Sequence, residues 1–182
     1  GKDPITGPGI SVKLSALHPR FVIAKRERLI TELLPVLKNL ITQAKNANIG
    51  LTIDAEEAHT LDINLDLIEA VILSGIIGQW HGFGLAVQAY QKRAPYVIDW
   101  LVSLARKHQV KLNVRLVKGA YWDTEIKLAQ VQGLKGYPVF TRKVTTDANY
   151  IVCAKKLLQA SDVIYPQFAT HNALTLSTIR EL

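Results

Sequence analysis

Apolar positions along this chain fall into two alternating rhythms. Short runs rich in Val, Ile and Leu, at residues 9–14, 49–53, 84–88, 111–117 and 163–168, have the length and composition of strands. Between them lie longer stretches in which apolar residues recur at helical spacing. The clearest covers residues 26–46, where Leu29, Leu33, Val36, Leu37, Leu40 and Ile41 trace one face and Pro35 predicts a kink or a break. Further helices are predicted at 65–73, 96–107 and 149–158, with another beginning at Ala173. Strand and helix in regular alternation predict an α/β fold of parallel βαβ units with right-handed crossovers. An open doubly wound sheet and a (β/α)8 TIM-type barrel both satisfy that pattern. A barrel takes about 250 residues, so 182 residues predict an incomplete one, with only about five or six βα units.

The polar residues that interrupt this pattern sit at the ends of the strands. Lys13 comes late in the first, Asp54 ends the second, Gln88 ends the third, Arg115 lies within the fourth with Lys118 just beyond it, and His171 and Asn172 follow the fifth. A parallel barrel gathers its C-terminal strand ends at one mouth, so these groups predict a site there. An arginine in a buried strand must be paired or serve a ligand. Pairing of Lys13 or Arg115 with Asp54 merely to satisfy charge is the plainer account of any two of these residues; five polar strand ends together favour a site.

Composition narrows the remaining classes. The chain is 48% hydrophobic and 20% charged, the balance of one globular domain with a sizeable core. Its net charge of +7 is spread along the sequence and not gathered into a tract, which suits anionic ligands and excludes a nucleic-acid signature. The apolar stretch at 67–78 carries Glu69 and falls short of the roughly 20 residues needed to cross a bilayer. A lone cysteine, Cys153, forms no internal disulfide, fits a reducing cytoplasm and reads as a packed helical thiol. The start at Gly1, in the loop-like GKDPITGPG without an initiator Met, predicts a piece of something longer.

Other chemistries find less support. HGFG at residues 81–84 precedes a strand, so it is no dinucleotide fingerprint, and no Walker A sequence occurs. His18, His59, His81 and His108 lack metal-ligand spacing and read as surface or capping residues. Asp54, Glu56 and Glu57 could bind a hard cation, although Asp54 turned inward, with both glutamates capping or solvating the following turn, is the simpler arrangement. Lys13 or Lys118 as a Schiff-base lysine of aldolase type is the main alternative enzyme reading. A noncatalytic interaction module is a third.

Six segments carry a resemblance to a known family: KLSALHPRF (13–21), IDAEEA (53–58), QAYQKRAP (88–95), RLVKGAYWD (115–123), YPVFTRKVTTD (137–147) and YPQFATHN (165–172). In this order they resemble the proline dehydrogenase domain of the bacterial bifunctional flavoenzymes of the proline utilisation A family, across nearly the whole chain. The resemblance implies a distorted (β/α)8 barrel that binds FAD noncovalently and oxidises L-proline to Δ1-pyrroline-5-carboxylate, the first step of proline catabolism. Hydride passes from proline to the flavin N5, and the electrons pass on to a membrane quinone. It places Arg115 at the N5 edge, where a cation favours the charge that builds in the ring, and Gln88 on the pyrimidine side. Val117, Lys118, Gly119, Ala120 and Trp122 would wrap the cofactor, with Thr141, Arg142 and Lys143 toward its ribityl, pyrophosphate or adenine end. Phe168, Ala169, Thr170, His171 and Asn172 would continue that wall. Lys13 would face the substrate carboxylate, Asp54 would orient the cationic groups, and Tyr121 would shape the substrate cavity.

The chain departs from the family pattern in extent. The resemblance predicts that the first barrel strand and everything after the sixth are lacking, with the arginine pair that clamps the proline carboxylate. The fragment alone would then be inactive, and its open sheet edges would favour association, a homo-oligomer included. A DNA-binding segment and a fused pyrroline-5-carboxylate dehydrogenase would lie outside it, so no nucleic-acid contact is expected here. The quinone implies a cytoplasmic protein that touches the inner membrane peripherally.

Overall fold

The computed structural model describes residues 2–182. Five parallel strands, β1 (Gly9–Val12), β2 (Gly50–Ile53), β3 (Phe83–Gln88), β4 (Leu112–Val117) and β5 (Ile164–Phe168), lie side by side in sequence order. That order resolves the architecture left open by the pattern. A doubly wound sheet must reverse its strand order to place helices on both faces. Right-handed crossovers between successive neighbours put every crossover helix on one face and curl the sheet toward closure. The five strands are an arc of a barrel of TIM type.

Side-chain parity divides this sheet into two chemistries. Leu51, Ile53, Phe83, Leu85, Val87, Leu112, Val114, Leu116 and Ile164 share one parity, and all are buried. They meet the apolar stripes of α1 (Arg26–Asn46), α2 (Leu61–Leu73), α3 (Ala94–His108) and α5 (Lys143–Gln159). On α1 the stripe is Leu29, Leu33, Leu37 and Ile41, one residue per turn and each essentially inaccessible. The opposite parity belongs to Ser11, Thr52, Ala86, Gln88, Arg115 and Val117. The register sets Ser11 beside Thr52, Ala86 beside Arg115, and Gln88 beside Val117. These positions form the concave side of the arc.

Several local expectations are corrected. Pro35 does not break α1, which continues through it; the residue faces solvent, where water can satisfy the freed carbonyl. The first strand stops at Val12, and a 3-10 turn at Leu14–Leu17 follows. Another 3-10 turn, Ala58–Thr60, leads into α2 four residues ahead of the predicted start. Helix α5 begins at Lys143, six residues early. Helix α4 (Trp122–Val131) went unpredicted because it buries only Glu125 and Ala129, so no apolar stripe announces it. A last helix, α6 (Ala173–Glu181), follows β5.

Two polar readings also change. Glu56 neither caps nor solvates a turn: it is buried, and its carboxylate accepts from the backbone and hydroxyl of Ser15. His18 is no surface residue: its Nε2 lies 2.8 Å from Glu32 while its Nδ1 accepts from the Arg20 backbone at 3.2 Å. Cys153 is fully buried in α5, a packed thiol as predicted.

Candidate active site

The polar strand ends converge on a cleft of about 700 Å³ at the C-terminal mouth of the arc. Ser11 enters from β1 and Lys13 directly follows it, Asp54 and Ala55 follow β2, Ala86 and Gln88 come from β3, and Arg115 and Val117 from β4. Lys118, Gly119, Ala120 and Tyr121 form the loop beyond β4, Lys143 projects from the start of α5, and Ala169, Thr170, His171 and Asn172 follow β5. A second hollow of about 370 Å³ shares Lys118, Gly119 and Lys143 with the cleft and adds Trp122 and Thr141. Two candidates line neither. Phe168 has the outward parity of β5 and packs against the helix-side core, and Arg142 is solvent-exposed just before α5.

Arg115 is the centre of the site's charge. One nitrogen, Nη2, donates to the Asp54 carboxylate and, at 3.1 Å, to the Ser11 hydroxyl. Both ion-pair partners are 30% exposed, so solvent screens the pair only partly. A guanidinium carries five N–H donors, and these two bonds engage Nη2 alone. The charge-satisfying pair anticipated from sequence therefore exists, and it leaves Nε and Nη1 available to a ligand.

The β4–α4 loop is shaped by its glycine and its ties. Gly119 has φ +147°, a conformation that L side chains rarely adopt, and a Cβ there would lie 2.4 Å from the Tyr90 ring. Tyr90 is buried, and burial, ahead of the nearby Glu125 charge, pushes its phenol well above the ordinary range. Gln88, also buried, spends one end of its amide on the Glu56 carbonyl (2.8 Å) and the other on the Ala120 backbone N–H (3.0 Å). It thereby links the loops after β2 and β4, while an amide keeps one further donor and acceptor site for a ligand.

Cations flank both sides of the cleft. Lys118 and Lys143 each donate to a different oxygen of Asp147, at 2.5 and 2.6 Å. The bond from Lys118, then that from Lys143, holds the Asp147 carboxyl below the usual range. Two ammonium groups around one carboxylate leave net positive charge beside both hollows. Across the cleft, Lys13 stands 5.8 Å from the centre of the Tyr121 ring. The nearby Tyr121, followed by the charges of Glu56 and Asp54, raises the Lys13 ammonium above the usual lysine range.

Sequence reasoning missed Ser11, Ala55, Ala86 and Asp147, and it misread Glu56 as capping or solvating a turn. Parity could have found two of them, since Ser11 and Ala86 lie two residues before Lys13 and Gln88. Asp147, one helical turn after Lys143, was findable by spacing. The inward turn of Glu56 was not, because its Ser15 partner is 41 residues away. The turn of Glu56 toward Ser15, with Asp54 held by Arg115, also disperses the acidic trio Asp54, Glu56 and Glu57. Among the described residues, no group of three or more His, Cys, Asp or Glu side chains could hold a metal ion.

Comparison with known proteins adds a lineage to this geometry. A family model described as Proline dehydrogenase matches residues 1–182. The bifunctional protein PutA of Klebsiella aerogenes is 56% identical over 182 residues, which are all of this chain and 14% of that protein. PutA of Salmonella typhimurium is 57% identical with the same coverage. A crystal structure of Bradyrhizobium japonicum proline utilization A superposes with a TM-score of 0.94 at 60% identity, covering 96% of this chain and 18% of that one. Proline utilization A from Bdellovibrio bacteriovorus, inactivated by N-propargylglycine, gives 0.90 at 32% identity over 93% of this chain and 18% of that one. The chain thus spans about one-seventh of the length of the curated relatives it matches. With a family model covering it from end to end, a barrel arc shared with these structures and a cleft at its C-terminal mouth, this chain belongs to the proline dehydrogenase family.

Proposed function

We propose that this chain forms the flavin-binding and proline-oxidising portion of a bifunctional enzyme. L-proline gives up a hydride from C5 and a proton from nitrogen, forming the C=N bond of Δ1-pyrroline-5-carboxylate. The observation that carries the reading is the cleft itself: Lys13, Arg115, Lys118 and Lys143 surround a site that the family model spans completely.

The residues present fit FAD. The cleft and the adjoining hollow share Lys118, Gly119 and Lys143 as lining, which suits a long ligand laid across both. Paired lysines that line both hollows match a pyrophosphate, and the missing side chain of Gly119 lets the loop that lines both lie directly on the Tyr90 ring. Arg115, Gln88, Val117, Lys118, Gly119 and Ala120 would hold the ring system, and Thr170, His171 and Asn172 the opposite wall. Bound flavin supplies the two-electron acceptor for the hydride.

The chain's own groups supply the rest. Lys13, kept charged by Tyr121, Glu56 and Asp54, offers an ammonium to the proline carboxylate. Tyr121 closes the cavity beside it. Asp54 fixes the Arg115 guanidinium so that its unengaged N–H groups are aimed before reaction begins, which is electrostatic preorganisation. The same environment argues against the aldolase-type alternative. A Schiff-base lysine must be neutral to attack a carbonyl; the surroundings of Lys13 favour its charge, and Lys118 is committed to Asp147. Inactivation of the Bdellovibrio relative by N-propargylglycine, a small secondary amino acid, agrees with a site for proline. Electrons would pass to a quinone at the inner membrane, touched peripherally from the cytoplasm, and the product to a fused dehydrogenase.

The test is the visible spectrum of the full-length protein mixed with L-proline without oxygen. A flavin band that bleaches on proline addition supports the reading. A colourless protein that takes up no added FAD refutes it, and borohydride trapping of a carbonyl compound on Lys13 or Lys118 would put the lysine lyase in its place.

A further inference from the structure

Helix α4 has almost nothing apolar to hold it down: its buried residues are Glu125 and Ala129. Its placement rests on polar ties. Trp122 Nε1 donates to the Phe140 carbonyl at 2.9 Å, and the preceding Ala120 N–H is held by Gln88. Glu125 makes the longest-range connection. Its backbone N–H donates to the Tyr121 carbonyl at 2.9 Å, the first bond of α4, while its side-chain Oε1 accepts from the Ala58 backbone N–H at 2.5 Å. One residue therefore fastens the Tyr121 end of the cleft to the segment that follows Asp54.

A carboxylate is a costly choice for this place. Glu125 is 2% exposed, and burial, the dominant influence, raises its carboxyl above the ordinary range despite the bond from Ala58. A leucine would fill such a position at lower cost, but it would leave the Ala58 N–H without this acceptor. The residues so aligned are those that meet substrate. Tyr121 contacts Lys13, and the loop beyond Asp54 carries Glu56, whose side chain grips Ser15 just past Lys13.

We propose that Glu125 is a positioning residue for proline binding, its carboxylate locking the Tyr121 end of α4 to the loop after β2 and so setting where the Lys13–Tyr121 pair meets the substrate carboxylate. This rests on the proline-oxidising reading above. Glu125 touches neither substrate nor flavin in this scheme; it acts through Tyr121.

The test uses the flavin-loaded, full-length protein in three variants. Glu125→Ala removes the acceptor, and Glu125→Gln keeps a neutral one. Ala58→Pro removes the donor from the other side and sets its ring Cδ where the N–H met the carboxylate, so Glu125 must turn away. Proline is tolerated at the first position of a helical turn, and Glu57, at ψ 152°, already has the extended conformation that must precede it. The expected result is a KM for proline raised at least about tenfold in Glu125→Ala and Ala58→Pro, with kcat changed less than about threefold and flavin content unchanged. Glu125→Gln should recover most of the loss, and Glu125→Ala with Ala58→Pro should be no worse than either alone, as partners in one bond must be. A merely structural cap would lower the melting temperature without splitting KM from kcat. Wild-type KM in Glu125→Ala, or additive effects in the double variant, overturns the assignment. Wild-type protein whose flavin does not bleach with proline overturns the underlying reading instead, so the two failures are told apart.

Discussion

Replacing Gly119 by alanine tests the shape of the loop after β4. The added Cβ would sit 2.4 Å from Tyr90, against an ordinary contact of at least 3.4 Å, so ring or loop must retreat by about 1 Å. The ring cannot yield cheaply. Tyr90 is buried, its backbone N–H donates to the Lys118 carbonyl at 2.7 Å, and its own carbonyl accepts from Phe140 at 2.8 Å. Overpacking of this kind costs about 1–3 kcal/mol, and a non-glycine residue held at such a φ costs about 1–3 kcal/mol more. The loop that would cradle the flavin should therefore shift. If only about 2 kcal/mol of that strain is relieved at the expense of the ligand, flavin affinity falls roughly thirtyfold. The assay is titration of the stripped full-length protein with FAD, followed by absorbance and by thermal melting with and without the cofactor. Gly119→Ala with wild-type affinity and an unchanged melting temperature would refute the argument from the Tyr90 contact.

Lys13→Met should raise the KM for proline at least tenfold, the loss of one charged hydrogen bond worth about 1.5–3 kcal/mol; steady-state kinetics check this, and borohydride with a carbonyl substrate should trap nothing on wild-type Lys13. The depressed carboxyl of Asp147 contributes stability above its unfolded pKa, near 3.8, and that contribution disappears as pH falls through the lower folded value. Asp147→Asn should accordingly destabilise the fold at pH 7 and cease to differ from wild type in strong acid; a penalty that stays constant with pH would contradict the Lys118–Asp147–Lys143 linkage. Cys153, its pKa pushed up to about 12 by burial, should resist iodoacetamide in the native protein and react readily in denaturant. Rapid native labelling would mean that α5 opens far more easily than its packing implies.

The sequence by itself determined the local structure wherever a single periodicity governs it. Helix α1 runs over the predicted residues because its apolar face is uninterrupted, and the strands fall within a residue or two of their predicted positions because short Val, Ile and Leu runs fit only a buried sheet. It also pointed to polar residues that line the cleft, since a charged group amid buried strands demands a partner or a ligand. Where resemblance supplied roles, most of the named residues reached the cleft; Phe168 fell outside it by strand parity, which a motif read as a string ignores. Helix α4 stayed hidden because its buried face carries Glu125, so the polarity that marks a helix is inverted there. Only the tertiary structure decided that the strands run in sequence order, which selects a barrel arc over a doubly wound sheet. It alone brought Arg115 to Asp54, 61 residues away, and Glu125 to Ala58, 67 away. Helix and strand periodicity arise from neighbours a few residues apart, whereas these contacts arise from crossover handedness and closure of the sheet, which no local window of sequence contains.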